Sequence, residues 1–119
     1  MPDTKIKLKR AYESTSVDDG VRILVERLWP RGVSKANARL DHWAKEVAPS
    51  PELRVWFGHH PPRWRQFQVR YRKELEANRS AVNALRERCA GQTVTFVFAA
   101  KDEHRNGAVV LKKFLGERI

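Results

Sequence analysis

The residues best equipped for chemistry lie in two short stretches. "RILVERLWPRG", residues 22–32, sets Arg27, Trp29, Pro30, Arg31 and Gly32 directly after an apolar run, and "KDEHRNG", residues 101–107, sets Asp102, His104 and Asn106 after another. A guanidinium is a planar fork of donors that fits phosphate or carboxylate, and Arg27 with Arg31 suits one small dianion. Pro30 fixes the φ of the turn, and Gly32 lets backbone approach a ligand closely. Imidazole is the side chain best suited to general acid or base work, so His104 is a candidate for that role with Asp102 orienting it, Asp102 itself being the reserve. Asn106 precedes a helical stretch whose first N–H groups favour a bound anion. Trp29 and Pro30, with Tyr71, are expected to wall the pocket.

Each of these residues also has a plainer reading. One arginine would pair with Asp102 or Glu103 across a sheet edge, fastening two loops. Asn106 or Asp102 would be a simple helix N-cap and His104 a solvated loop residue. Four histidines and one cysteine show no ligand spacing, so neither a metal site nor a cofactor is expected. Cys89 lies on the apolar side of a helical stretch, as an inert buried thiol would. No nucleotide-binding or hydrolase fingerprint appears.

Elements must bring these stretches together. "KIKLKRAY" alternates, with Ile6, Leu8 and Tyr12 on one phase and lysines on the other, as a half-exposed strand does. Residues 21–28 form a second strand, apolar enough to be covered on both faces. From Ser34 the spacing of Leu40, Trp43, Ala44 and Val47 is helical. Ser50 and Pro51 open another helix, which Gly58 closes. Pro61 and Pro62 open the longest, with Trp64, Phe67, Tyr71 and Leu75 as its apolar stripe. A break at "ANRS" precedes a helix with Val82, Leu85 and Cys89 inward. "TVTFVFAA", residues 93–100, is a β-branched and aromatic strand, and "AVVLKKFL" resumes helical spacing. Strands interleaved with helices predict a single α/β domain over residues 1–119, with a small, largely parallel sheet flanked by helices. Parallel strands ending near Leu28 and Ala100 would bring both polar stretches to one sheet edge. Open α/β sheets bind their ligands at such carboxyl ends.

At 119 residues the chain suffices for a core without disulfides. Lysine and arginine number 24 against 14 acids, a net charge of +10 that attracts anionic partners. No apolar run is long enough for a membrane span, and the start of the chain has no signal-peptide character. The lone cysteine suits a reducing cytoplasm.

The stretches "DDGVRILVERLWPRGVSK", "LDHWAKEVAPSPELRVWFGH", "FQVRYRKEL" and "VTFVFAAKDEHRNGAVVL" resemble the YeaO-like family of small bacterial proteins, which carries a domain-of-unknown-function label. The resemblance spans nearly the whole chain. It rests on Asp19, Gly20, Arg27, Leu28, Trp29, Pro30, Arg31, Gly32, Leu53, Arg54, Phe57, Tyr71 and Asn106. It implies a cytoplasmic α/β domain and no reaction. Family members often carry a histidine after the asparagine, where this chain has Gly107, so His104 is no stand-in for it.

The expected function is binding of a small phosphorylated or carboxylated molecule in a crevice at the strand ends, with enzymatic action on it left open. The alternative is a nucleic-acid-binding module using the basic helix face around residues 63–73. The sequence specifies no oligomeric state.

Overall fold

The computed structural model describes residues 4–117. In chain order its elements are β1 (Lys5–Arg10), β2 (Val21–Leu24), α1 (Lys35–Ala38), β3 (His42–Trp43), α2 (Pro51–Phe57), α3 (Trp64–Ala77), α4 (Arg79–Cys89), β4 (Thr93–Phe98) and α5 (Gly107–Glu117). The four strands form one sheet in the order β1-β4-β2-β3, and every pairing is parallel. All carboxyl ends therefore point to the same edge. This is the α/β architecture expected from the interleaved patterns.

Register divides the sheet into two faces. Ile6 pairs with Val94 and Leu8 with Phe96, while Val21 and Ile23 pair with Val94 and Phe96 from the other side. That face packs on Leu53, Phe57, Phe67, Tyr71, Leu75, Val82, Leu85, Leu111 and Phe114, so the longer helices build the main core against it. On the opposite face Leu24 and Val97 are just as buried, and Thr95 donates its hydroxyl to the Asp19 carbonyl at 2.8 Å. The lysines of β1 do not simply face water. Lys9 Nζ reaches Asp19 at 2.8 Å, and Arg22 meets the same carboxylate at 2.7 Å, so a buried ion triad closes this second face.

Three expectations about elements are revised. Residues 21–28 are not all strand: β2 stops at Leu24, Val25 adds one further bond to Val97 at 3.1 Å, and Leu28 is exposed. Tyr12 does not continue β1; it is exposed and donates its hydroxyl to the Arg31 carbonyl at 3.0 Å. The helical spacing from Leu40 to Val47 gives instead an edge strand and a short 3-10 turn at Lys45–Val47. Helix α1 ends at Arg39, whose φ of 47° is left-handed. Beyond it the chain meets the open edge of β2: Asp41 bonds Arg22 in both directions, at 2.8 and 2.9 Å, and Ile23 and Leu24 pair with His42 and Trp43. Unpaired strand-edge groups outweigh the local helical pattern.

Candidate functional site

The turn after β2 and the loop after β4 do meet. Leu28, Trp29, Pro30 and Arg31 line one side of a cleft of about 530 Å³, with Ala99, Ala100, Lys101 and Asp102 on the other. An inner hollow of about 50 Å³ shares Glu26, Arg54, His59 and Ala100 with the cleft and adds Arg27, Asn106 and the start of α5. Three bonds hold the loop in place. Arg10 at the end of β1 donates to the Ala100 and Ala99 carbonyls at 2.9 and 3.3 Å, and the Ala99 N–H donates to Glu26 Oε2 at 3.3 Å.

The predicted residues divide by what already occupies them. Arg27 donates Nε to the Pro49 carbonyl at 3.2 Å and Nη2 to Ala48 at 3.1 Å, so it clamps the segment entering α2 and presents only its remaining edge to the hollow. Arg31 is exposed at the outer cleft, and among the described residues its guanidinium has no hydrogen-bonded partner. The expected arginine pairing with Asp102 from this turn does not form. Asp102 instead accepts from the His104 and Arg105 N–H groups at 2.9 and 3.1 Å and pairs with the Arg105 side chain at 3.2 Å. The bond from the His104 N–H leads these contacts in holding its carboxyl below the ordinary range. Asp102 thus stays ionised and shapes its loop; it touches the His104 backbone rather than orienting the imidazole. His104 is exposed and lines neither the cleft nor the hollow.

Asn106 is buried and caps α5. Its Oδ1 accepts from the Val109 N–H at 3.1 Å while Nδ2 donates to the Asp102 carbonyl at 2.8 Å. Both side-chain functions are consumed, and the residue serves the hollow by fixing the helix start. Trp29 and Pro30 line the outer cleft. The Trp29 indole donates to the Val33 carbonyl at 2.6 Å and meets Trp43 edge-on at a centroid distance of 5.5 Å. Tyr71 is not a wall of the cleft: it is fully buried beneath α5 and donates its hydroxyl to the Val47 carbonyl. Gly32 is exposed with φ of 80°, and a Cβ there would meet nothing within 4 Å, so it makes the turn rather than a close approach. At Gly107 a Cβ would stand 3.2 Å from Pro49 Cγ, which packs the start of α5 tightly on the segment Arg27 holds.

Three residues at the centre of the site carried no site assignment from sequence. Glu26 is half-buried, and burial raises its carboxyl above the ordinary range, an effect moderated by the Ala99 N–H and by the charges of His59 and Arg54. Arg54 is exposed on α2, and its guanidinium has no hydrogen-bonded or ion-paired partner among the described residues. His59 follows the left-handed Gly58 and is itself left-handed, with φ of 58°, its ring tilted against Phe57 at 6.1 Å. Arg54 was signalled only through the family resemblance. Glu26 reads locally as an interruption of an apolar strand, and nothing in "FGHH" announces the backbone reversal that turns His59 to the cleft.

On the basic helix face, Arg63 and Arg70 lie over the Trp56 ring at 5.3 and 4.2 Å, and Arg72 lies over Phe114 at 5.4 Å. Among the described residues no group of three or more His, Cys, Asp or Glu is arranged to hold a metal ion. Cys89 is buried, which pushes its thiol up to about 11. No helix among the described residues is long and apolar enough to cross a membrane.

The family model described as the inactive DUF488-N3 subclade matches residues 5–119. The chain is 40% identical over 116 residues to the Mycobacterium tuberculosis (strain ATCC 25618 / H37Rv) protein titled "Uncharacterized protein Rv3073c", covering 98% of each chain. It is 38% identical over 110 residues to "Uncharacterized protein YeaO" of Escherichia coli (strain K12), covering 92% of this chain and 96% of that one. No solved structure matches. A family match running from β1 through α5, with relatives this similar over nearly their full length, shows that the chain belongs to the YeaO-like DUF488 family, in the DUF488-N3 subclade described as inactive.

Proposed function

We propose that this chain is a small-anion-binding domain that holds a phosphorylated or carboxylated molecule at the carboxyl edge of its sheet. The observation that carries the reading is the pair of guanidinium groups, Arg54 and Arg31, that line one cleft with His59 and have no hydrogen-bonded or ion-paired partner among the described residues. Arg27, clamped on two carbonyls, acts mainly as a positioning residue and adds positive potential. The capped start of α5 adds a partial positive charge beside it. The subclade's description as inactive favours binding over turnover. So does Asp102, whose carboxyl is committed to its own loop. The lone cysteine supports a cytoplasmic setting.

The nucleic-acid reading has less to draw on, because Arg63 and Arg70 already cover Trp56. The test is a thermal-shift titration with inorganic phosphate and with succinate, ionic strength being held constant with chloride. Saturable stabilisation is expected, reaching about 2.7 kcal/mol at one hundred times Kd. Arg54→Ala should abolish it and Arg31→Ala weaken it. A wild-type protein that shows no saturable shift, but binds an oligonucleotide with a steep salt dependence, would reverse the order of the two readings.

A further inference from the structure

The cleft holds a charge arrangement that a simple anion site does not need. Glu26 lines both the outer cleft and the inner hollow, among the very cations that would attract an anion. Its position is fixed: the Trp43 indole donates to its carbonyl at 2.6 Å, and one carboxylate oxygen accepts from the Ala99 N–H at 3.3 Å. Yet no ion pair joins it to Arg54 or His59 among the described residues, although both act on it electrostatically. A carboxylate has room for about four accepted hydrogen bonds, so most of its capacity is unused. Acid and base thus face one space without touching. A group that offers acceptor oxygens to Arg54 and a donor to Glu26 would bridge them.

We propose that Glu26 makes the cleft selective for an oxyanion that carries its own proton, namely a protonated phosphoryl group, over a fully deprotonated oxyanion of the same shape. The inference rests on the anion-binding reading of this cleft and specifies its ligand class. Hydrogen phosphate presents an O–H that Glu26 accepts while its other oxygens accept from Arg54. Sulfate at neutral pH has only acceptor oxygens, so one of them would face the carboxylate without a proton between. A site built to accept a hydrogen bond rejects an analogue that lacks the donor, because its own polar group is then left unpaired.

The experiment is calorimetric titration of the whole protein at pH 7 with inorganic phosphate, sulfate and monofluorophosphate, at ionic strength held constant with chloride. The two comparison anions match the tetrahedral shape and lack a proton at this pH. Phosphate should bind about 10- to 100-fold more tightly than either. Glu26→Gln, whose amide donates as well as accepts, should bring the three within about threefold of one another. Equal affinities in the wild type would overturn this inference and leave the anion site standing. Discrimination that persists in Glu26→Gln would also overturn it, by assigning selectivity elsewhere. Failure of all three anions to bind would overturn the site itself. Should Glu26→Gln fail to fold, Glu26→Ala, which removes the acceptor altogether, is expected to bring the three equally close, and discrimination persisting there would overturn the inference in the same way.

Discussion

Arg27 reaches back to the carbonyls of Ala48 and Pro49, whereas its neighbour Glu26 keeps a half-buried carboxylate that, among the described residues, accepts one long bond, from the Ala99 N–H. The two show why residue type alone does not assign a role: the arginine that looked like the ligand's partner is largely a fastener, and the glutamate that interrupted an apolar run is at the centre of the cleft. The raised carboxyl of Glu26 has a consequence for stability. An acid whose folded value lies above its unfolded one binds its proton more tightly in the native state. Stability is then fullest below the ordinary glutamate value of about 4.3 and declines as pH rises through the window up to the folded value. Glu26→Gln should therefore raise Tm by a few degrees at pH 7, and the gap to wild type should close near pH 4. Thermal unfolding followed by circular dichroism at the two pH values checks this. A variant less stable at pH 7 would contradict it.

Elements meet their requirements at a few backbone positions. Gly20 links the 3-10 turn at Val17–Asp19 to β2 with φ of 64° and ψ of −137°, and a Cβ there would lie 2.2 Å from the Thr93 carbonyl oxygen. Only glycine serves both the conformation and the approach. Gly20→Ala should cost ~3 kcal/mol, measured by urea unfolding, since strain and a backbone clash add. Such a cost is invisible to periodicity, as is the left-handed Arg39 that ends α1 and sends the chain to the open edge of β2. The local spacing from Leu40 to Val47 was helical; the edge of an unfinished sheet offered better partners. Where an element's partners agree with its local pattern, as in α3, which bonds within itself, and in β4, which pairs with β1 and β2 on its two sides, the pattern reads correctly from sequence.

Across the whole molecule, several of the cations behind the +10 net charge also brace the fold. Lys9 and Arg22 close the second face of the sheet on Asp19, Arg10 grips the loop after β4, and Arg63 and Arg70 cover Trp56. Burial pushes the Asp19 carboxyl up, but Lys9, the Ser16 N–H and Arg22 together outweigh it and leave it below the ordinary value. Its stabilisation is accordingly present above the ordinary aspartate value of about 3.9 and is lost as pH falls through the lower folded value. Asp19→Asn should cost about 3–5 kcal/mol at pH 7, because it leaves Arg22 buried without a countercharge. The difference from wild type should shrink in acid, as urea unfolding at pH 7 and pH 3 would show.

Alternation in "KIKLKR", the β-branched run "TVTFVF" and the apolar stripe through Phe67, Tyr71 and Leu75 made strands and helix legible, and their interleaving along the chain was enough to predict an α/β domain with a largely parallel sheet. Parallel strands end at one edge, which led to the expectation that the turn after β2 would meet the loop after β4; the neighbouring places of β2 and β4 in the sheet are what bring it about. Burial imprints a local period on the chain, and period is what sequence displays. Partners do not. The clamp of Arg27 on Pro49, the fixing of Ala99 by Glu26 and the arrival of Arg54 and His59 at the same hollow join residues far apart in the chain, so only the tertiary structure decided which side chains are held by the fold and which line the cleft without a hydrogen-bonded partner among the described residues.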